Sequence, residues 1–510
     1  MKRLQRSRKL FAFLRLHRHE LFDSVFQKEL ETTYRLTGAG EVPVAPAVLC
    51  LAILLQAYLG ISDAEAVELT ILDLRWQMVL GCLGSEEPAF GQATLQQFRE
   101  RLILHQLDRR LLERTIELAK QTKEFDYKKL PKALRAGVDS RPLEGAGRVE
   151  DTFNLLGHAA RKVAQLAASS AAIRFDLLCE EAGIPLLQAP SIKAALDVNW
   201  SDPEQKDFAL SKLISQIDAL TGWVERHQLA LDHPLATYIQ AIAQVRRQDV
   251  EEESGHAHIR QGPIPDRRIS IEEPEMRHGR KSSSQMVAGY KQHLTSSLDS
   301  QLIHACGVTA ANRPEQEGTP QMMQDLERQG VTIAELFVDQ AYVSSPMAVA
   351  VEQAGGTVMA KPRGIPARAD HFTKNDFVFD MRSRTVTCPA GVEVNFRIGT
   401  TVRFDAETCA SCFCRPLCTQ ATPERGRTIH IAEDEQRQQR LKKRQATPKG
   451  RKELRTRTGI EHRLAHLAAR QGPVARYSGI RKNLFDLRRM AVIQNLETIQ
   501  RRVELAAAAS

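Results

Sequence analysis

The sequence predicts an α/β protein in which a mixed sheet carries flanking helices and follows an all-helical region. Three observations lead to this class. Apolar runs at 134–138 and 333–338 each end in an aspartate and a turn, the pattern of a strand end. Helical periodicity dominates residues 1–125 and 152–262, on either side of the first run. Further strand-like runs, separated by one amphipathic helix, follow at 285–294, 302–309 and 356–360.

Length and charge narrow the functional classes. The 510 residues give room for several domains, and a net charge of +9 favours a polyanionic partner. No run approaches the roughly 18 uninterrupted apolar residues of a membrane span. The basic N-terminus lacks an apolar block long enough for a secretory signal. We therefore expect a cytoplasmic protein without a membrane part.

The first 125 residues carry helical patterns at 44–59, 63–74 and 94–104, close to a group of arginines. Two interpretations of this region stay open. It is either a helical DNA-binding domain, for which helix-turn-helix proteins are a model, or an ordinary helical bundle with a solvated face.

Asp139 and Asp339 occupy the same kind of position, directly after an apolar strand. Because a strand end holds a side chain in place better than a loop does, each carboxylate is a candidate metal ligand. The alternative is that each aspartate only caps the turn that follows it.

Five of the nine cysteines lie close together in the sequence: Cys388, Cys409, Cys412, Cys414 and Cys418. In a cytoplasmic protein such a cluster, with its CxxC pair, favours zinc over disulfides. Four thiolates leave no open coordination position, so the predicted zinc is structural and stabilises a small loop-rich subdomain. Free thiols are the alternative.

Residues 437–463 contain eleven lysines and arginines but only two acids, Glu453 and Glu461. This density exceeds what a solvated helix face needs and predicts contact with phosphates. Glu461 lies on an amphipathic helix. It is either functional or simply paired with Arg457, four residues earlier.

These segments together resemble the DDE-type transposases of bacterial insertion sequences. The resemblance extends from about residue 40 to residue 497, and its motifs follow the family's order: VDSRPLEGAG at Asp139, PEMRHGRKS at 274–282, GYKQH at 289–293, VTAAN at 308–312, LFVDQAY at Asp339, CPAG with the cysteine cluster, IEHRLAH at Glu461 and ARYSGIRKN at 475–483.

The resemblance implies an RNase H-like fold and a catalytic triad of Asp139, Asp339 and Glu461 that binds two Mg²⁺ or Mn²⁺ ions. The implied reaction cuts DNA at the element's terminal inverted repeats and joins the ends to target DNA. The implied working complex is a homodimer or larger and is associated with the nucleoid. Two alternatives stay open: a transposase-derived DNA-binding protein without activity, and a metal-dependent nuclease.

Several further roles follow from the resemblance. Arg457 matches the arginine of a tyrosine–arginine–glutamate–lysine signature, although Leu454 and Ala468 stand where its tyrosine and lysine are expected. The predicted zinc ligands are Cys388, Cys409, Cys412 and Cys418. The predicted DNA-binding residues are Arg277, Arg280, Lys281, Lys291, Lys361, Arg457, Arg476, Arg481 and Lys482.

The chain therefore divides into six predicted segments. These are a helical DNA-binding domain (1–125), the start of the catalytic domain (126–151), a helical insertion (152–262), the continued catalytic domain (263–368), the cysteine-rich zinc subdomain (369–426) and a basic segment with C-terminal helices that carries the catalytic glutamate (427–510).

Overall fold

The computed structural model describes residues 9–34, 42–122, 133–253, 256–281, 284–364 and 371–509. The predicted boundaries at 125/126 and 368/369 lie outside these residues. Helices hold 54% of the chain and strands 15%, which confirms a mixed α/β class with a curled mixed sheet.

The N-terminal region is helical, as predicted. Pro46 stands at the start of α3, where its missing N–H costs no hydrogen bond. Ser62 and Glu65 form a capping box at the start of α4. The helices are α1 (Lys9–Leu21), α2 (Ser24–Glu31), α3 (Pro46–Leu59), α4 (Asp63–Leu72), α5 (Leu74–Leu80), α6 (Gln92–Leu104) and α7 (Leu107–Gln121).

Strand β1 (Ala133–Glu144) follows, and after it comes the helical insertion. The insertion has its own hydrophobic core, to which Trp223 contributes a fully buried ring. It also contains a two-stranded hairpin that the helical pattern did not predict. Its elements are α8 (Thr152–Ser170), α9 (Phe175–Glu181), α10 (Ile192–Leu196), α11 (Pro203–Arg226), α12 (Leu235–Asp249), β2 (Val250–Glu253) and β3 (His256–Ile259).

The main sheet is completed after the insertion by β4 (Arg277–Arg280), β5 (Met286–Ser297), β6 (Ile303–Ala310), β7 (Thr332–Val338) and β8 (Thr357–Met359), with helices α13 (Thr319–Arg328) and α14 (Pro346–Gln353). Strand β1 is central: it pairs antiparallel with β5 and parallel with β7. Strands β4 and β6 both pair with β5, and β8 extends the sheet parallel to β7. The aspartate-bearing strands are therefore neighbours.

The cysteine-rich segment is built from short elements around a small core of its own. These are β9 (Val378–Asp380), β10 (Thr385–Thr387), β11 (Glu393–Asn395), β12 (Thr401–Arg403), α15 (Ala406–Ala410), α16 (Arg415–Cys418) and β13 (Thr428–His430). The chain ends with α17 (Glu435–Ala446), α18 (Pro448–Leu454), α19 (Thr458–Gln471) and α20 (Ile480–Ala509).

Helix α20 joins the N-terminal helices to the sheet. Its apolar residues share one hydrophobic core with α1–α7 and with β5 and β6. Inside this core Arg488 of α20 pairs with Asp108 of α7 and with Asp325 of α13. Since both sides of α20 are covered, its middle part is buried nearly all round, as expected for a central helix.

No single helix within the described ranges is long and apolar enough to cross a membrane. Helices α3 and α4, which meet at a bend of 107°, satisfy that test only when taken together as a pair. Most of α3 is buried in the shared core.

Candidate active site

The two aspartates lie side by side where the parallel pairing of β1 with β7 ends, although β1 itself continues past Asp139 to Glu144 and does not end there as predicted. Val138 of β1 pairs in parallel register with Val338 of β7, and Asp139 and Asp339 are the next residues on each chain. Adjacent strands lie about 4.8 Å apart, so the two carboxylates start from neighbouring backbone positions. Each also accepts the backbone N–H of its following residue at 2.8 Å. The capping role and the shared location therefore coexist.

Glu461 approaches the aspartates on α19. This helix rests directly on β1, because Gly137 leaves room for Ile460: a Cβ at Gly137 would lie 3.0 Å from the Ile460 Cβ. Arg457, in the 3₁₀ turn before α19, then bridges the helix and the sheet. Its Nη2 lies 2.6 Å from Glu461 Oε1, and its Nη1 lies 3.1 Å from Asp139 Oδ2. The predicted pair of Arg457 and Glu461 forms, and the same arginine reaches Asp139.

The environment of Asp139 disfavours its ionised form. Burial raises the pKa of Asp139, and the nearby charges of Asp339 and Glu315 act in the same direction. The Ser140 N–H and the Arg457 guanidinium oppose this rise in the pKa, but do not cancel it. Because burial disfavours the charge on this carboxyl, a cation bound beside it would be stabilising.

A chain of buried, hydrogen-bonded side chains packs next to the backbone that carries Asp139. The His293 ring lies 2.6 Å from the Tyr342 hydroxyl through Nδ1 and 2.9 Å from Thr309 Oγ1 through Nε2. Tyr342 in turn contacts Ser140, the residue after Asp139. Burial lowers the pKa of His293 to about 3, so the ring is neutral at pH 7. The neutral ring donates one hydrogen bond and accepts the other.

The aspartates open into a cleft of about 170 Å³. Glu315, in the loop after β6, lines the same cleft, and sequence analysis did not single it out. Its only sequence signal is its place after a buried strand. The other lining residues are Ser140, Arg141, Pro142, Arg280, Lys281, Val287, Tyr290, Lys291 and Ala311.

Glu273 is a second acid whose role was missed. It is fully buried and accepts hydrogen bonds from the Tyr290 hydroxyl at 2.7 Å and from the Gly147 N–H. A third contact, 3.4 Å long, comes from the Gly479 N–H, just before α20. This carboxylate thus joins the turn after β1, a wall of the cleft and the start of the central helix.

The predicted DNA-binding residues fall into two groups. Arg280, Lys281 and Lys291 border the cleft, and Lys291 donates to the Arg313 carbonyl at 2.8 Å. Lys361 and Lys482 are exposed.

The remaining arginines of that set contact other parts of the protein. Arg277 pairs with Asp266 at 3.0 Å, Arg476 donates to the Ile61 carbonyl at 2.6 Å, and Arg481 pairs with Asp108. Arg457 bridges Asp139 and Glu461, as described above.

All five clustered cysteines line one cavity of about 30 Å³, a volume comparable to that of one water molecule. Burial raises the pKa of Cys418, and the neighbouring thiols of Cys409, Cys388 and Cys412 raise it further. The thiols are therefore close enough to influence one another. Across the described part of the chain, no group of three or more His, Cys, Asp or Glu side chains is arranged so that it could hold a metal ion.

Two family models match the chain, one near each end. Residues 4–101 match a transposase domain (DUF772), and residues 387–500 match a transposase DDE domain. The second match includes the cysteine cluster, Arg457 and Glu461. No curated protein and no solved structure matches the chain.

Both matching families are transposase families, which supports a transposase function, and transposase domains imply an enzyme that cuts and transfers DNA. They support membership among the DDE-type transposases of insertion sequences, as the sequence motifs predicted. DDE domains of this kind generally use divalent metal ions.

Proposed function

We propose that this chain cleaves DNA at the ends of its own mobile element and transfers the freed strands into target DNA. The observation that carries the proposal is the pairing of β1 with β7, which brings Asp139 and Asp339 to one edge while α19 brings Glu461 toward Asp139. The strand order β6-β5-β1-β7-β8, in which only β5 runs antiparallel to β1, supports an RNase H-like catalytic domain.

The donor set fits Mg²⁺ or Mn²⁺. Asp139, Asp339 and Glu461 offer only carboxylate oxygens, which hard divalent cations prefer, and the half-buried Asp139 pairs with the single charge of Arg457. We propose that these three acids hold two ions. When bound, such ions supply charge stabilisation for the attacking and leaving oxygens of an in-line displacement at phosphorus.

The protein's own residues would bind and orient the DNA. Arg280, Lys281 and Lys291 border the acidic edge, where they can contact the phosphates next to the scissile bond. The neutral His293 and Tyr342 hold Ser140, and with it the backbone at Asp139, in a fixed position. We further propose that the N-terminal helices bind the terminal repeats, and that two or more copies assemble on the DNA.

The decisive test replaces Asp339 with Asn. A labelled duplex of the terminal repeat is incubated with Mn²⁺, and strand cleavage and DNA binding are measured separately. We expect Asp339→Asn to abolish cleavage and to leave binding intact, because the site loses a ligand charge while the basic surface remains. Asp299→Asn is the matched control, since Asp299 pairs with Arg135 at 2.9 Å and is not in the cleft.

The test also separates the alternatives. Cleavage by Asp339→Asn at the wild-type rate would refute the assignment of the acids. Cleavage without joining would indicate a metal-dependent nuclease. A wild type that binds the ends but never cuts would be a transposase-derived DNA-binding protein.

We also propose that Cys388, Cys409, Cys412 and Cys418 hold a structural zinc ion. The support is the small cavity that these thiols line together, inside a segment with only a small core. Binding would require the thiols to move closer together, since among the described residues they are not arranged as a metal site. Metal analysis of the purified protein should give about one zinc per chain. The double change Cys409→Ser and Cys412→Ser should remove it, whereas Cys414→Ser should retain it. A zinc-free wild type would refute the proposal.

A further inference from the structure

Arg457 stands where the third carboxylate meets the first. One guanidinium nitrogen contacts Asp139 Oδ2 at 3.1 Å and the other contacts Glu461 Oε1 at 2.6 Å. The remaining Asp139 oxygen already accepts the Ser140 N–H at 2.8 Å. Both oxygens of Asp139 are therefore occupied, and one of them is occupied by a cation that belongs to the protein.

This bridge is not what docks the helix onto the sheet. Helix α19 is seated by Ile460, Leu464 and Leu467, which are buried in the main core, and by the close contact between Ile460 and Gly137. Arg457 lies one turn before this apolar contact and remains partly exposed. Its side chain can therefore leave the acids without the helix leaving β1.

A guanidinium and a divalent cation cannot share the same two carboxylates. Like charges a few ångströms apart repel each other, so a metal ion bound by these acids would repel the guanidinium. A displaced arginine is well suited to a DNA phosphate, because its planar fork binds phosphate oxygens through two hydrogen bonds.

We propose that Arg457 is the resident counter-ion of the DNA-free site: its guanidinium occupies the cation position between Asp139 and Glu461, and divalent metal must displace it. The proposal deepens the proposed function and rests on it. It accounts for the lack of a three-acid metal group in the described residues, since Arg457 stands between two of the three acids. Transfer of Arg457 to a DNA phosphate would then favour metal binding, so the two ligands would assist each other.

The test measures Mn²⁺ binding to the DNA-free protein by the loss of the free-ion electron paramagnetic resonance signal. We expect Arg457→Gln to bind Mn²⁺ roughly 5- to 150-fold more tightly than the wild type, the usual range of coupling between two ligands. Arg457→Lys keeps the positive charge but lacks the planar guanidinium, so its Mn²⁺ affinity should lie between those of the wild type and Arg457→Gln. Arg455→Gln is the matched control, because Arg455 is an exposed arginine of the same 3₁₀ turn, and its affinity should equal that of the wild type.

Each other outcome overturns the proposal. Mn²⁺ affinity that is unchanged in Arg457→Gln would make the arginine a bystander, and weaker binding would mean that it organises the acids for the metal. Circular dichroism of each variant shows whether it is folded, and Arg457→Lys decides the question if Arg457→Gln is not. If Asp339→Asn abolishes cleavage while Arg457→Gln leaves Mn²⁺ affinity unchanged, only this inference fails. If the wild type cuts no DNA in any metal, the proposed function fails independently.

Discussion

Two arginines of this chain each join two carboxylates from different elements, yet their surroundings differ. Arg488 contacts Asp108 at 3.1 Å and Asp325 at 2.8 Å, and all three side chains are at most 1% exposed. Arg457 contacts Asp139 and Glu461 at similar distances, but the three side chains are 23%, 17% and 48% exposed. Both clusters consist of one arginine and two carboxylates, but only the Arg488 cluster is shielded from solvent.

Burial decides what each cluster can do. The buried cluster connects α7, α13 and α20. Separating its charges would destabilise the fold, because each charge would lose its partner where no water can replace it. The partly exposed cluster connects β1 and α19 next to an open cleft, where water, a metal ion or a phosphate can replace each partner. The first cluster is suited to holding the fold together and the second to exchanging ligands.

The largest effect is expected from Arg488→Met. Removal of one partner leaves Asp108 and Asp325 with less compensation in a dry environment, so the free energy of unfolding should fall by about 3–5 kcal/mol. Urea denaturation followed by circular dichroism measures the loss. Because Asp325 keeps Arg109 at 2.8 Å and Asp108 keeps Arg481, the lower end of the range is expected.

Arg328→Met is the control for this prediction. Arg328 also connects α13 to α7, through Glu113 at 3.3 Å, but its side chain is 56% exposed. An exposed pair contributes about 1 kcal/mol or less. If the two variants lost equal stability, burial would not be the difference between the clusters.

An intermediate effect on stability is expected when the pH is lowered, because His293 is buried close to the aspartates and would have to take up a proton. Burial lowers the pKa of His293 to about 3, against about 6.5 when unfolded. Between these values only the unfolded chain takes up the proton, so stability falls as the pH falls below 6.5. His293 alone should lower the free energy of unfolding by about 2 kcal/mol at pH 5 relative to pH 7.

His293→Gln should remove about that much of the pH dependence, because glutamine retains polar contacts but does not titrate. His304 gives an independent comparison, since burial lowers its pKa to about 4. His304→Gln should reduce the dependence between pH 7 and 5 by a similar amount. If the stability of His293→Gln depended on pH as steeply as that of the wild type, His293 would not be a buried neutral histidine.

The aspartate-bearing strands were predictable because their signal is local. An apolar run that leads into a carboxylate marks both β1 and β7, and β7 ends just before Asp339, as predicted. The predicted end of the first strand at Asp139 was wrong, because pairing with β5 continues β1 to Glu144. The pair of Arg457 and Glu461 was also predictable from its spacing of four residues on a helix. Neither signal required knowledge of the rest of the chain.

The contacts between distant segments were not predictable in this way. Arg457 and Asp139 are 318 positions apart, and no local pattern indicates that they meet. Glu315 and Glu273 resemble many loop acids until the sheet places one in the cleft and buries the other. The shared core of α20 and the N-terminal helices likewise depends on packing between opposite ends of the sequence.

The smallest effect on stability is expected from Arg457→Gln, and this makes it the sharpest test of the comparison. If the bridge to Asp139 and Glu461 is exchangeable, its loss should change the free energy of unfolding by about 1 kcal/mol or less, and added salt should reduce the difference further. Urea denaturation at low and high salt, beside Arg488→Met, measures both values. A loss as large as that of Arg488→Met would mean that Arg457 also holds the fold together, and an arginine with that role could not be displaced by a metal ion or a phosphate.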